Sequence, residues 1–138
     1  MARDKIHAAV KNALIKDGWT ITADPFVIEF EDAELKADMA AERAIAAQRD
    51  SERIAVEVKS FLSPSPFHDL EQALGQYALY SLLLRRLEPD RKVYLAISEY
   101  VWLDFFQRPS VKVVLEDTAL KVIVVDLERE EVKQWIGK

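Results

Sequence analysis

Glu57 and Lys59 lie two residues apart in the middle of a stretch with the composition of a β-strand, IAVEVKSF, residues 54–61. Side chains alternate between the two faces of a strand, so this acid and this base share one face, about 6.6 Å apart. A half-exposed strand with its polar side in water explains the pattern without any chemistry. On this strand alone, the plainer interpretation is favoured over a hydrolytic site.

Asp38 adds a second carboxylate, with 18 residues between it and Glu57, on a segment that could pair with this strand as a hairpin. Two carboxylates on one sheet face repel each other unless a cation lies between them, and hard oxygen ligands suit Mg²⁺ or Mn²⁺. Such a cation polarises both a water and a phosphate oxygen. Lys59 would orient or deprotonate that water and offset charge on the phosphate. The three residues are therefore candidates for phosphodiester hydrolysis.

The elements that must position these residues follow from hydrophobic periodicity and turn signals. Apolar spacing predicts a first helix from Asp4 to about Lys16, and Ser65 and Pro66 suit the cap and first position of a long helix that ends near Leu87. Predicted strands cover residues 19–22, 26–30, 53–61, 92–97 and 120–126; residues 99–117 are helical in part, and 131–136 form a strand or a short helix. This order predicts a single α/β domain over 1–138, with a crossover through the long helix.

The segment from Leu35 to Ala47 is ambiguous. Its Ala, Glu and Lys content favours a helix by propensity. As a strand it would place Lys36, Asp38, Ala40 and Glu42 on one face, and Leu35, Ala37, Met39 and Ala41 on the other. Propensity and pattern therefore disagree at the segment that carries Asp38.

Composition limits the class of protein. The 138 residues are 50% hydrophobic with three glycines, as in a compact globular domain. No apolar run is long enough for a membrane span and the start lacks a signal-peptide core, so we expect a cytoplasmic protein without a membrane partner. The absence of cysteine excludes disulfides, thiolate metal sites and a cysteine nucleophile.

The net charge of −5 argues against unassisted, high-affinity binding to nucleic acid. Cations are nevertheless grouped, and ordinary solvated surface is the favoured interpretation of both groups. The groups are Arg85, Arg86, Arg91 and Lys92, and Arg43, Arg49 and Arg53.

Asp38 followed by Glu57-Val58-Lys59 resembles the D…(D/E)xK signature of the PD-(D/E)xK nuclease superfamily. Four longer segments in order resemble the XisH family, the cyanobacterial fdxN element excision controlling factors, over nearly the whole chain. These segments are KNALIKDGWTIT (11–22), IAVEVKSF (54–61), LEQALGQY (70–77) and YLAISE (94–99).

The resemblance implies a restriction-endonuclease-like fold, a central mixed β-sheet flanked by helices, in which the segment at 35–47 is a strand. It also implies that Asp38, Glu57 and the backbone carbonyl of Val58 bind Mg²⁺ or Mn²⁺, and that Lys59 is the base or charge stabiliser. A glutamine on the helix after the motif contributes to related sites, and Gln72 and Gln76 match that position. Gly75 between them predicts close packing against the sheet.

The sequence also departs from the superfamily pattern. Ala37 stands where a proline is common, and the first helix has no glutamate, for which Glu42 is the candidate substitute. His7 and His68 are expected at the surface or as capping residues. Trp102, Phe105 and Phe106 are expected in the core rather than at an interface.

As function, the resemblance implies an accessory factor for the programmed excision of a DNA element, with a metal-dependent endonuclease-like site. DNA, an XisI-type protein and a separate site-specific recombinase are the implied partners. The rival is a non-catalytic protein of the same fold that binds DNA or a partner, and the residues alone also allow a plain α/β interaction module. Whether the chain forms a homo-oligomer is left open.

Overall fold

The computed structural model describes residues 2–45 and 50–137, so that Ala46, Ala47 and Arg49 of the predictions above lie outside it. The helices are α1 Ala2–Lys16, α2 Pro66–Leu87, α3 Glu99–Leu103 and α4 Pro109–Thr118, with a 3₁₀ turn at Phe105–Gln107. The strands are β1 Thr20–Ala23, β2 Phe26–Phe30, β3 Ala33–Ala37, β4 Met39–Ile45, β5 Asp50–Val58, β6 Arg91–Ser98, β7 Val122–Asp126 and β8 Glu131–Ile136.

Six strands form one mixed sheet in the order β1-β4-β5-β6-β7-β8, and β2 and β3 form a separate two-stranded sheet. Strands β5, β6 and β7 are parallel because helical crossovers connect them, whereas the other neighbours are antiparallel. The predicted class, a mixed sheet flanked by helices, is confirmed. None of the helices in 2–45 and 50–137 combines the length and apolar content of a membrane span.

Helix α1 covers one face of the sheet and packs its last turns against β8. Trp135 of β8 contacts Trp19 and Tyr94, with ring centroids 5.6 and 5.1 Å apart. The Lys16 ammonium donates to the Arg129 carbonyl at 2.7 Å. The first helix and the last strand therefore complete one another's packing.

Helices α2, α3 and α4 cover the opposite face. Phe105 and Phe106 are 4% and 0% exposed and Trp102 packs against them, so the expectation of a core position is confirmed. Alternation along β5 matches this division, because Ile54 and Val56 face α1 whereas Ala55 faces α2.

Helix α2 begins and ends as its sequence predicts. The Ser65 hydroxyl accepts a hydrogen bond from the His68 N–H at 3.3 Å, and Pro66 occupies the first turn. Its inward stripe includes Leu70 and Leu84, which are buried. This helix is long enough to carry side chains over the ends of both β5 and β6.

The ambiguous segment is extended from Ala33 to Ile45, which confirms the strand, but it is divided at Asp38. Before Asp38 the chain belongs to the small sheet, and after it the chain belongs to the large one. Ala37 consequently packs under α2 while Met39 packs under α1. The expectation that Leu35, Ala37, Met39 and Ala41 share one face was wrong, because the bend at Asp38 reorients the strand.

Gly75 was also wrongly predicted to pack closely against the sheet. It is exposed, and a Cβ atom there would meet nothing within 4 Å. Gly18 differs, because it ends α1 with φ +95 while the Gly18 and Trp19 N–H groups donate to the carbonyls of Ile15 and Leu14. That is the Schellman arrangement, in which glycine is preferred.

These two environments predict opposite effects of one substitution. Gly75→Ala should raise the free energy of unfolding by about 0.5–1 kcal/mol, since the helix interior gains propensity without a clash. The matched Gly18→Ala should lower it by about 1 kcal/mol, since alanine is strained at positive φ. Urea denaturation at low protein concentration measures both changes. A stability loss in Gly75→Ala would contradict the open position of Gly75.

Candidate active site

The candidate site lies where β4 begins to pair with β5. The first residue of β4, Met39, lies opposite Val56, and the chain bends at Asp38, just before this pair. A carboxylate oxygen of Asp38 accepts the backbone N–H of Val58 at 2.7 Å. The side chain of Asp38 thus continues the hydrogen bonding of β5 past the end of its partner strand.

Val58 presents its carbonyl on the same side, because the N–H and C=O groups of one residue point to the same neighbour in a strand. The carbonyl proposed as a ligand therefore faces the edge that Asp38 occupies. The charges of Asp38 and Glu57 both act on the hydroxyl of Tyr80, so the two carboxylates lie on the same side of this edge. Asp38 is not among the residues that line the cavity described below.

Glu57 lies on the α2 side of the sheet, where its carboxylate acts on the Tyr80 hydroxyl. Glu57 is only 7% exposed, so the plain interpretation of a wet strand face fails for it. Lys59 follows the end of β5, where its N–H still donates to the Ala96 carbonyl at 3.1 Å. Both residues line a cavity of about 230 Å³, together with Val58 and Gln76.

The structure separates the two predicted glutamines. Gln76 lines the cavity, and its buried side-chain oxygen has no hydrogen-bond partner among residues 2–45 and 50–137. Gln72 lies one turn earlier on α2, is exposed and does not line that cavity. The geometry therefore supports Gln76 as the site residue of the pair.

Tyr80 belongs to the site and was not predicted from the sequence. Burial, followed by the nearby charges of Glu57 and Asp38, raises the pKa of Tyr80 to about 12, against the contrary effect of the Gln76 amide. Its hydroxyl donates to the Lys36 carbonyl at 2.8 Å. Tyr80 lies four residues after Gln76, so helical spacing placed the two on one face.

Asp69 and Ser63 also line the cavity, and neither was predicted. The Ser63 hydroxyl donates to the Asp69 carboxylate at 2.8 Å, between the β5 loop and the first turn of α2. Phe61 closes the same cavity with a left-handed backbone, φ 54, and packs on Phe105 and Phe106. Such a conformation is uncommon outside glycine and is held here by aromatic packing.

Glu42 does not substitute for the missing glutamate of the first helix. It lies in the middle of β4 and does not line the candidate cavity, and its carboxylate faces the guanidinium groups of Arg53 and Arg91, each at 3.7 Å. Arg91 is buried and also pairs with Glu88 at 3.1 Å. These cations neutralise acids and form no basic patch beside the site.

The predicted histidines have ordinary roles. The His7 ring lies 2.9 Å from the Asp24 carboxylate, and His68 contributes its N–H to the cap of α2. Neither residue lines the candidate cavity.

The donor set can be tested against a divalent cation. In the described part of the chain, no group of three or more His, Asp or Glu side chains is close enough to hold a metal ion. The edge instead offers the carboxylates of Asp38 and Glu57, the Val58 carbonyl and the Gln76 amide oxygen. Magnesium is often held by one or two carboxylates and completed by water, so this oxygen set fits it.

A larger cavity of about 870 Å³ adjoins the site and shares Ile6 and Ser60 with it. Its lining contains neither Glu57 nor Lys59. Although this cavity is the larger of the two, it lacks the candidate catalytic residues and is therefore not the candidate active site.

Residues 1–133 match the family model described as XisH protein. The fold resembles an XisH family protein from Nostoc punctiforme PCC 73102, with TM-score 0.87 and 42% identity over 96% of this chain and 99% of that one. It equally resembles an fdxN element excision controlling factor protein from Anabaena variabilis, with TM-score 0.87 and 43% identity over 96% and 98%. No functionally curated protein matches the chain.

The environment of Tyr80 predicts a pH effect on stability. Its folded pKa of about 12 exceeds the ordinary 10.0, so the fold holds this proton more tightly than the unfolded chain does. The resulting stability is fully present below pH 10 and is lost as the pH rises through about 12. The stability difference between wild type and Tyr80→Phe should therefore shrink by about 1 kcal/mol between about pH 9 and 11.

Urea denaturation at the two pH values measures this difference. Tyr100→Phe is the control for the loss of a tyrosine hydroxyl, because Tyr100 is 75% exposed on α3. A difference for Tyr80→Phe that is constant with pH would contradict the buried, acid-flanked position of its hydroxyl.

Proposed function

Because the chain belongs to the XisH family, we propose that it is an accessory factor for the programmed excision of a DNA element and carries a metal-dependent endonuclease-like site of the PD-(D/E)xK type. The excision role comes from the name of the Anabaena variabilis relative, an excision controlling factor. The reaction is phosphodiester hydrolysis by an activated water. The recombination itself is the work of a separate site-specific recombinase.

The observation that carries this proposal is the hydrogen bond of 2.7 Å between the Asp38 carboxylate and the Val58 N–H. It holds Asp38 against Val58, the residue after Glu57, although Asp38 lies at the bend between β3 and β4 and 18 residues separate it from Glu57. Glu57 is buried, and the charges of both carboxylates act on the Tyr80 hydroxyl, so the two like charges repel each other in the absence of a cation. The pair is therefore suited to a bound cation of the Mg²⁺ or Mn²⁺ type.

When bound, the cation would lower the pKa of a coordinated water and polarise a phosphate oxygen. Asp38, Glu57 and the Val58 carbonyl would hold it, with the Gln76 amide oxygen directed at the same cavity. Lys59 would take the proton of the attacking water or offset charge on the phosphate. Tyr80 would position Glu57 from α2.

The acidic chain favours assisted binding to DNA. The net charge is −5, and Arg43 of β4, Arg53 of β5 and Arg91 of β6 are paired with acids, so these three arginines do not offer the unpaired positive charge that drives unassisted binding. An XisI-type protein or the recombinase would then supply the affinity for DNA. The substrate is the DNA of the element that is excised.

A second candidate is a non-catalytic protein of the same fold that binds DNA or a partner and controls the recombinase. The same hydrogen bond favours this second candidate, because accepting the Val58 N–H gives Asp38 a structural role that needs no catalysis. No third carboxylate or histidine joins the pair within the described ranges. In that case Asp38 serves to accept the Val58 N–H at the edge of β5, and the acidic pair has no catalytic role.

Cleavage assays separate the two candidates. The purified chain, alone and with an XisI-type protein, is incubated with single- and double-stranded DNA with Mg²⁺, with Mn²⁺ and with a chelator. Asp38→Asn and Lys59→Ala should each reduce metal-dependent cleavage by about 100-fold or more. Asp38→Asn is chosen because its amide oxygen still accepts the Val58 N–H. Lys92→Ala, at an exposed lysine of β6, should cleave like wild type.

Cleavage that persists in both site variants would exclude this site as the origin of the activity. Absence of cleavage in wild type under every condition would favour the non-catalytic candidate.

Metal binding gives an independent test that needs no cleavage. Calorimetric titration with Mn²⁺ should detect one site, and Glu57→Gln should weaken binding by about tenfold or more, since a carboxylate ligand loses its charge. Asp32→Asn, at an exposed turn between β2 and β3, should bind like wild type. Equal affinities of Glu57→Gln and wild type would mean that Mn²⁺ does not bind at this pair.

A further inference from the structure

Helix α2 has a second apolar surface, directed away from the sheet. Its inner side is buried at Leu70, Tyr80 and Leu84, as a helix of this class requires. On its outer side, however, Leu79 and Leu82 are 54% and 55% exposed. Leu79 and Leu82 lie three residues apart, so they are neighbours on one face of the helix. Neighbouring exposed apolar side chains mark an interaction surface more often than isolated ones do.

Five exposed residues on the outer side of α2 follow the spacing of a helix-packing seam. The steps between them alternate between three and four residues, which is the a/d pattern of paired helices. These residues, called the outer seam below, are all exposed: Gln72, Gly75, Leu79, Leu82 and Arg86.

Small residues leave room along this seam. Nothing lies within 4 Å of the position that a Cβ of Gly75 would occupy, and Ala78 beside the seam is exposed as well. Glycine in the middle of a 22-residue helix costs about 1 kcal/mol relative to alanine, and no contact within the described chain accounts for it here. A helix that approached α2 closely would use this space.

We propose that the outer seam binds a second copy of this chain, with the two α2 helices antiparallel about a two-fold axis between Ala78 and Leu79. In this register Leu82 of each copy faces Gly75 of the other, so that a large side chain meets an open position. Leu79 faces Ala78 in the same way. A two-fold interface must be complementary to itself, and this alternation of large and small residues meets that requirement.

Charge complementarity supports the same register. Glu71 lies at one end of the outer face and Arg86 at the other, and both are exposed. Neither forms an ion pair within residues 2–45 and 50–137. The antiparallel arrangement brings Glu71 of each copy beside Arg86 of the other, whereas a parallel one would bring like charges together.

The interface is small, because it centres on one helix from each copy. Contacts of that size lie at the low end of stable interfaces, so we expect a dimer of micromolar affinity in exchange with monomer. The proposal does not depend on the chemistry of the candidate site, and its test measures molecular mass rather than cleavage.

Sedimentation of the full chain over a range of concentrations tests the charge pair. Glu71→Arg and Arg86→Glu should each weaken the dimer by about fivefold or more, since each reversal creates two repulsive contacts per dimer. The double variant should restore an affinity near that of wild type, because the pairs are exchanged. Single reversals that leave the dimer unchanged, or a double variant as weak as the singles, would overturn the register.

The apolar part of the seam has its own test. Leu82→Glu should weaken the dimer by about tenfold or more. Leu103→Glu is the matched control, because Leu103 is 64% exposed but lies on α3. Circular dichroism verifies that both variants are folded. A wild-type chain that stays monomeric at the highest soluble concentration, or a dimer that only Leu103→Glu disrupts, would refute the proposal.

Cross-linking locates the axis directly, because the chain has no cysteine. Ala78→Cys should give a covalent dimer with a short bismaleimide, since the two thiols would lie on either side of the axis. Lys112→Cys, exposed on α4, should not. Equal yields of cross-linked dimer from the two variants would place the contact elsewhere.

Discussion

The hydrogen bond from Val58 to the carboxylate of Asp38 is the interaction on which the candidate site depends. β4 pairs with β5 only from Met39 onward, so the Val58 N–H of the central strand would otherwise have no partner, at a cost of about 1–3 kcal/mol. A charged side chain restores the bond and is thereby held at the sheet edge. The hydrogen bond with the Val58 backbone therefore fixes the position of Asp38 relative to Glu57, and no further contact of Asp38 is required.

Much of the fold was predictable because its strands and helices obey local rules. Helix α2 has a cap, a first-turn proline and a stripe of buried leucines, and β6 is a continuous apolar run between two covered faces. The segment around Asp38 was harder, because alanine and glutamate favour helix while the pairing of Met39 with Val56 imposes a strand. Its bend was not predictable, since only the separate sheet of β2 and β3 explains it.

The candidate site was predictable where residues lie on one strand and less so where they meet through the fold. Alternation placed Glu57 and Lys59 on one face, but the burial of Glu57 results from α2 lying over it. Spacing alone could not choose between Gln72 and Gln76, because the choice depends on the rotation of α2. Tyr80 was missed since a tyrosine on a helix is usually core, and its link to the Lys36 carbonyl exists only in three dimensions.

The packing of α1 against β8 has a consequence for synthesis on the ribosome. Residues near position 16 emerge long before Trp135, which closes the core around Trp19. At roughly 5–20 residues per second, the apolar side of α1 waits about 10 s for its last partner. During that interval the apolar side of α1 is exposed on the nascent chain. A chaperone that covers it, or early docking of α1 on β4 and β5, would therefore increase the yield of folded protein.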